Sequence, residues 1–245
     1  PPRDPAAYAG RPCPRSAGGP ARGRGPEPVR RRRAGGRSLS RTSAGGSPAD
    51  RPAASGIVLA GGRSSRFGGD KLSTRVRGGT LLDAAIAGVR AVATDVVVVL
   101  APGDQRSVGA GIRTVADPES FGGPLVGLLA GLEVVDQPLV IVAGGDMPDL
   151  DPEVLGLMVR TLAGGGEAVG AVILQQRGRG VPLPAVVRTG SATDVARRLV
   201  ADGERSLRGL FDRLPTRILD EGAWRPLDPE AATLRDVDEA ADLDP

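Results

Sequence analysis

Three stretches of strand length, Gly56–Ala60 (GIVLA), Asp95–Ala101 (DVVVVLA) and Pro138–Ala143 (PLVIVA), are apolar at almost every position. A strand with one wet face alternates polar and apolar residues. Near-continuous runs of this kind are instead buried on both faces, as in a parallel sheet covered on each side. Each run ends at a breaker, respectively Gly61-Gly62, Pro102-Gly103 and Gly144-Gly145. Apolar residues at helical spacing predict helices over Thr80–Ala93 and Pro124–Val135, from Asp151 through Leu162, and over Ser191–Ala201 and Ser206–Leu214. Further strands are predicted at Arg113–Ala116, Ala168–Leu174, Val181–Val187 and Thr216–Leu219, with a helical turn after Asp238. Pro182 and Pro184 demote Val181–Val187 to an edge or a bent connection. Strands alternating with helices imply an α/β fold with a parallel or mixed sheet and helices on both faces.

In such sheets ligands bind beyond the carboxyl ends of the strands. The loops after Ala60, Ala101, Ala116 and Ala143 should therefore share one rim. The first of them, Gly61 to Lys71, is glycine-rich and cationic, which suits a polyphosphate: glycines let backbone N–H groups approach an anion, and Arg66 and Lys71 add full charge. Lys71 is the only lysine among 32 basic residues, which points to a position needing a compact point charge rather than a planar fork. The bland alternative is a Gly/Ser surface turn, with Arg66 ion-paired to Asp70. Two familiar nucleotide motifs are excluded letter by letter. Lys71 is flanked by Asp70 and Leu72, where a P-loop needs glycine and Ser or Thr, and no G-x-G-x-x-G starts at Gly61.

Residues 1–52 differ in kind from the rest. They hold ten prolines, nine glycines and twelve arginines with almost no large apolar side chains, a composition expected to remain a disordered tail. The chain starts at Pro1 and has no methionine before Met147, which suggests a fragment or a translation begun upstream of the real start. Against Asp4, Glu27 and Asp50 the tail carries a net +9, so residues 53–245 carry −6 beneath the overall +3. The high pI belongs to the tail, and the folded part lacks both the basic face and the stacking aromatics of a nucleic-acid binder. The arginines Arg30 to Arg33 read as part of a solvated low-complexity segment. With Cys13 the only cysteine and no histidine, no disulfide framework, zinc site, Ser-His-Asp triad or Cys-His dyad can be built. A metal here must be hard and oxygen-bound, which points to Mg2+. No apolar run is long enough to span a bilayer and no secretory signal follows Arg30, so a cytoplasmic location with no membrane partner is expected.

Residues 59–71, LAGGRSSRFGGDK, resemble the L-A-G-G-x-S-x-R-M/F-G-x-D-K signature of the MobA-like nucleotidyltransferases that act on molybdenum cofactor. Gly123–Leu132 is similar to the G-P-L-x-G-x-x-A-G-L of the guanylyltransferase branch, and Gly145–Pro148 to its G-D-M-P. Val181–Leu183, Glu204–Leu214 and Arg235–Leu243 fall where that family has a Q-P-L strand, an E-x-x-L-R-x-x-L helix and an N/D-x-N/D-T-P-E-D-L end. The resemblance covers residues 54–243, so residues 53–245 are expected to form one MobA-like nucleotidyltransferase domain. It implies a Rossmann-like three-layer α/β/α sandwich with a mostly parallel sheet, of the nucleotide-diphospho-sugar transferase type. It also implies transfer of GMP from GTP to molybdopterin-bound molybdenum, giving the guanine dinucleotide cofactor and pyrophosphate, with molybdoenzymes or their chaperones as further partners.

On that resemblance Lys71 and Arg66 are the catalytic cations at the triphosphate, cradled by backbone amides from Leu59, Ala60, Gly61 and Gly62. Asp146 holds Mg2+, Asp117 contacts the nucleotide, and Asp236 and Asp238 are further metal or metal-water ligands. Each acidic residue has a second reading: Asp146 as the cap of the turn before Pro148, Asp117 as an Asp-Pro turn, Asp236 and Asp238 as one side of a solvated edge. The chain departs from the family in having no asparagine, so Asp236-Val237-Asp238 stands for N-x-N. Glu239-Ala240 stands for T-P, and Val181 for the glutamine before Pro182. A cytidylyltransferase, or another nucleotidyltransferase of this type, and an inactive nucleotide-binding adaptor docked through the arginine tail are the competing functions.

Overall fold

The computed structural model describes residues 52–61, 70–119 and 122–237. They all lie in one compact unit, Gly45–Pro245. In chain order the elements are β1 (Ala54–Ala60), β2 (Arg75–Val76), β3 (Gly79–Thr80), α1 (Leu81–Arg90), β4 (Asp95–Leu100), β5 (Arg113–Ala116), α2 (Pro124–Leu132), β6 (Leu139–Gly144), α3 (Pro152–Gly164), β7 (Ala171–Gln176), β8 (Arg179–Arg188), α4 (Thr189–Ala201), α5 (Leu207–Arg213), β9 (Thr216–Leu219) and α6 (Glu221–Trp224). Seven strands form one sheet in the order β5-β4-β1-β6-β8-β7-β9, and β2 and β3 form a separate hairpin. All seven run parallel except β8, which is antiparallel to both neighbours.

Strand periodicity divides the core into two clusters. Val58, Val98 and Ile141 face α1 and α3, whereas Ile57, Val99 and Val140 face α2, α4 and α5. All six side chains are buried, as their near-continuous runs require. Helix starts follow local chemistry. Thr80 and Asp83 form a reciprocal capping box at α1, and Asp151 Oδ1 accepts from the backbone N–H groups of Glu153 (2.7 Å) and Val154 (3.2 Å) at α3. α1 ends at Arg90, short of Ala93, because the chain must already turn for Thr94 N–H to donate to Ala54 O at 2.8 Å.

β8 corrects the expectation of an edge and keeps that of a bend. It is an interior strand, between β6 and β7, despite its prolines. It pairs with β6 only through Ala185–Arg188, beyond both prolines, and on the β7 side the register jumps from Ile173↔Ala185 to Leu174↔Val181. Pro182 and Pro184 therefore sit in an irregularity where no ladder N–H is required. The β2–β3 hairpin, α6 and the 3-10 turns Lys71–Ser73 and Ala232–Leu234 were not anticipated. Residues 1–51, the helical turn after Asp238 and the site residues Gly62, Arg66 and Asp238 lie outside the described residues. Among the described residues no helix is long and apolar enough to cross a membrane.

β1 is pressed between two layers so closely that Gly56 has no room for a side chain: a Cβ there would sit 2.3 Å from Val89 Cγ1 and 3.3 Å from Val96 Cγ2. Val89 is buried, and in a helix its β-branched side chain has one strongly preferred rotamer, so it yields little. Gly56→Ala should therefore lower stability by about 1–3 kcal/mol, read as a fall in denaturant midpoint at constant slope.

Candidate functional site

The rim forms where β1, β4, β5 and β6 end together. Leu59 is still in register with Val99 and Gly144, and Ala60 with Leu100, so the first backbone outside the sheet is at Gly61. Gly145 N–H donates to Leu59 O at 2.9 Å, and Asp117 N–H to Leu100 O at 2.8 Å. A Cβ on Gly61 would stand 3.8 Å from Ala101 N and 3.9 Å from Asp117 Oδ2. The four loops expected to converge are therefore neighbours, because the sheet order places their parent strands side by side.

At this rim Lys71 leads the 3-10 turn and extends inward to Asp146, across 75 positions of sequence. Its Nζ donates to Asp146 Oδ2 at 2.9 Å. The lysine side chain is only 11% exposed, whereas that of Asp146 is 33% exposed and so borders the open rim. The turn that carries Asp146 is closed by its own backbone, Met147 N–H donating to Gly144 O at 3.3 Å, so the carboxylate is not its cap. Val237 N–H donates to Asp146 O at 3.0 Å, which brings Asp236 beside the same turn, exposed next to the buried Val237.

Asp70, just before Lys71, is held from two sides. Its carboxylate accepts from Ser73 Oγ and, at 3.2 Å, from Arg106 Nη2, while Arg106 also binds Asp104 through Nε at 2.8 Å. Burial pushes the Asp70 carboxyl up, but the bonds from Ser73 and Arg106 outweigh it and leave it below the ordinary range. Arg106 and Asp104 were missed from sequence. Their signal was weak: two charged residues in a rim loop, with nothing to show that Asp70 would be their neighbour.

Asp117 forms the turn of its plainer reading. Its Oδ1 accepts from Glu119 N–H at 3.0 Å, forming the Asx turn over Pro118, while Oδ2 lies 3.2 Å from where Gly127 of α2 would carry a Cβ. Burial is the main reason its carboxyl titrates above the ordinary 3.8. The Glu119 N–H works against this, and the Glu119 charge works with it. The small residues of α2 also serve close packing: a Cβ on Gly131 would be 2.9 Å from Ile57 Cδ1. Among the described residues no cluster of three or more His, Cys, Asp or Glu side chains could enclose a metal. Of the described carboxylates at this rim, Asp146 meets Lys71 and Asp236 lies next to Asp146.

Residues 56–218 match the family model described as the MobA-like NTP transferase domain. The chain is 34% identical over 195 residues to a probable molybdenum cofactor guanylyltransferase of Chloroflexus aggregans, covering 77% of this chain and 91% of that protein. Molybdopterin-guanine dinucleotide biosynthesis protein A from Archaeoglobus fulgidus superposes with a TM-score of 0.66 at 24% identity, covering 77% of this chain and 94% of the other. 2-C-methyl-D-erythritol 4-phosphate cytidylyltransferase from Thermus thermophilus gives a TM-score of 0.55 at 21% identity, covering 76% and 94%. These likenesses establish the fold as the three-layer α/β/α sandwich of the nucleotide-diphospho-sugar transferase type.

The raised carboxyl of Asp117 has a definite sign in stability. A group whose folded pKa lies above its unfolded value binds protons more tightly in the folded state, so folding weakens as pH rises from 3.8 through the folded value. Asp117→Asn removes that loss while keeping the acceptor of the Asx turn. It should be at least as stable as the parent at neutral pH, with the advantage shrinking on acidification, as denaturation at several pH values would reveal.

Proposed function

The chain belongs to the MobA-like NTP transferase family, and we propose that it transfers GMP from GTP to molybdopterin-bound molybdenum, releasing pyrophosphate. The observation that carries this reading is the buried Lys71 ammonium held against Asp146 at the rim of the sheet. A buried ion pair is a poor stabiliser, because removing both charges from water costs several kcal/mol per ion. Placed beside a polyphosphate site, the same ammonium is a preorganised cation in a low-dielectric setting, where it acts more strongly than in water.

In the transfer, an oxygen of the molybdopterin phosphate attacks the α-phosphorus of GTP in line. A new P–O bond forms as the bond from the α-phosphorus to the oxygen bridging to the β-phosphorus breaks, and that oxygen leaves with pyrophosphate. The nucleophile is already ionised near neutral pH, so no side-chain base is needed, and the protein's work is charge neutralisation and alignment. On this reading Lys71 and Arg66 contact the triphosphate, backbone amides of Leu59, Ala60, Gly61 and Gly62 cradle it, and Asp117 contacts the nucleotide. Asp146, with Asp236 beside its turn and Asp238 two positions further along the chain, would hold Mg2+, a cation usually bound through one or two carboxylates together with substrate phosphates. When bound, the cation neutralises charge on the phosphates.

The decisive experiment measures pyrophosphate from purified protein. Release is expected with GTP, Mg2+ and molybdopterin-bound molybdenum together, and none when the molybdenum cofactor is omitted. Lys71→Ala should cut turnover about 10²–10³-fold, the scale for losing one preorganised charge contact to a transition state. Equal turnover of CTP and GTP would remove the guanine assignment while leaving the transfer class. An unchanged rate and GTP affinity in Lys71→Ala would remove the role given to the loop.

A further inference from the structure

Asp149 lies in the loop that follows Asp146, and its side chain is only 8% exposed. It is held between two arginines from distant parts of the chain. Arg77 Nη2 is 2.6 Å from its Oδ1, and Arg235 Nη1 is 3.2 Å from its Oδ2. Arg77 forms the turn of the β2–β3 hairpin, the first structure after the Lys71 turn, and adopts φ +47°, a left-handed conformation that non-glycine residues rarely take. Arg235 directly precedes Asp236.

The same short loop grips the C-terminal segment at two further points. Asp151 N–H donates to Thr233 Oγ1 at 3.0 Å, with Thr233 fully buried, and Val237 N–H donates to Asp146 O at 3.0 Å. Of these three anchors, Asp149 is the one that also reaches the hairpin.

Stability alone does not explain the arrangement. Arg77 and Arg235 are 72% and 48% exposed, so each ion pair is a solvent-screened contact of small value, set against the desolvation of a buried carboxylate. What two guanidinium groups on the two oxygens of one carboxylate do supply is fixed spacing between three segments. Those segments carry Lys71, Asp146 and Asp236.

We propose that Asp149 is a positioning residue, a clasp that fixes the Lys71 hairpin and the Asp236 segment around Asp146 and thereby sets how tightly the site binds a divalent cation together with the triphosphate. The inference rests on the guanylyltransferase reading given above. It acts through other residues, since Asp149 itself faces two arginines and not the rim carboxylates.

The test uses Mn2+ as a paramagnetic probe, titrated into the full chain with a GTP analogue that cannot be cleaved between the α- and β-phosphates. Asp149→Asn should weaken analogue-dependent Mn2+ binding about ten-fold or more, the scale for groups that orient metal ligands. Asp149→Glu should recover part of the loss, and Arg235→Gln should shift binding in the same direction. Because Arg235 is half exposed, that variant carries the test if Asp149→Asn fails to unfold cooperatively. Wild-type Mn2+ affinity in variants whose only change is a lower unfolding temperature would overturn the clasp and leave Asp149 as ordinary structure. If the parent protein itself shows no analogue-dependent Mn2+ binding, the metal-triphosphate reading fails, and the clasp's role in it fails too.

Discussion

The contact on which the rest of the site depends is the one between Lys71 and Asp146. An ammonium with little access to water sits 2.9 Å from a carboxylate that is one-third exposed, an arrangement in which the cost of desolvation can exceed the Coulombic gain. Its position must be imposed from outside, and the sheet does this. β1 and β6 are adjacent and parallel, with Leu59 opposite Gly144, and the Gly145–Leu59 bond extends their pairing one step past the last strand residue. The loop carrying Asp146 is thereby fixed to the strand that opens the Lys71 loop. On the other side, Asp70 is tied to Ser73 and Arg106, which fixes the turn that Lys71 begins.

The sequence was most legible where one residue type settles a local question. β5 and β9 match their expected boundaries, and the three apolar runs are the adjacent inner strands β4, β1 and β6, because burial on two faces leaves an unambiguous pattern. It was less legible where the outcome depends on a partner. The prolines of β8 suggested an edge because a proline lacks a ladder donor, but whether that donor is needed depends on where the neighbouring register slips. The β2–β3 hairpin is too short for any periodicity, and its turn uses Arg77 with Gly78, only one of which signals a positive φ.

The site shows the same division. Lys71 and Asp146 were recoverable because each ends a glycine-rich break after a buried strand, the position where a parallel sheet presents its ligands. Their direct contact is information that neither segment holds alone. Arg106, Asp149 and Arg235 were beyond reach for a related reason: an arginine in a loop has no local signature that distinguishes solvated charge from a strut.

An acidic domain proposed to bind a polyanion looks inconsistent until the pairing of charges is followed. Outside residues 1–52 the net charge is −6, yet among the described residues four cations near the rim are matched to carboxylates: Lys71 to Asp146, Arg106 to Asp70 and Asp104, Arg77 and Arg235 to Asp149. Matching avoids leaving a buried or half-buried charge uncompensated. It also means that the local field is set by geometry rather than by net charge, because at contact distance a single ammonium outweighs distant carboxylates screened within about 10 Å by salt. Asp117 is the exception, a half-buried carboxyl with no cation against it among the described residues, and it titrates upward as a consequence. A group kept at a cost to folding, on the rim where four loops meet, is where a specific ligand contact has the most to contribute.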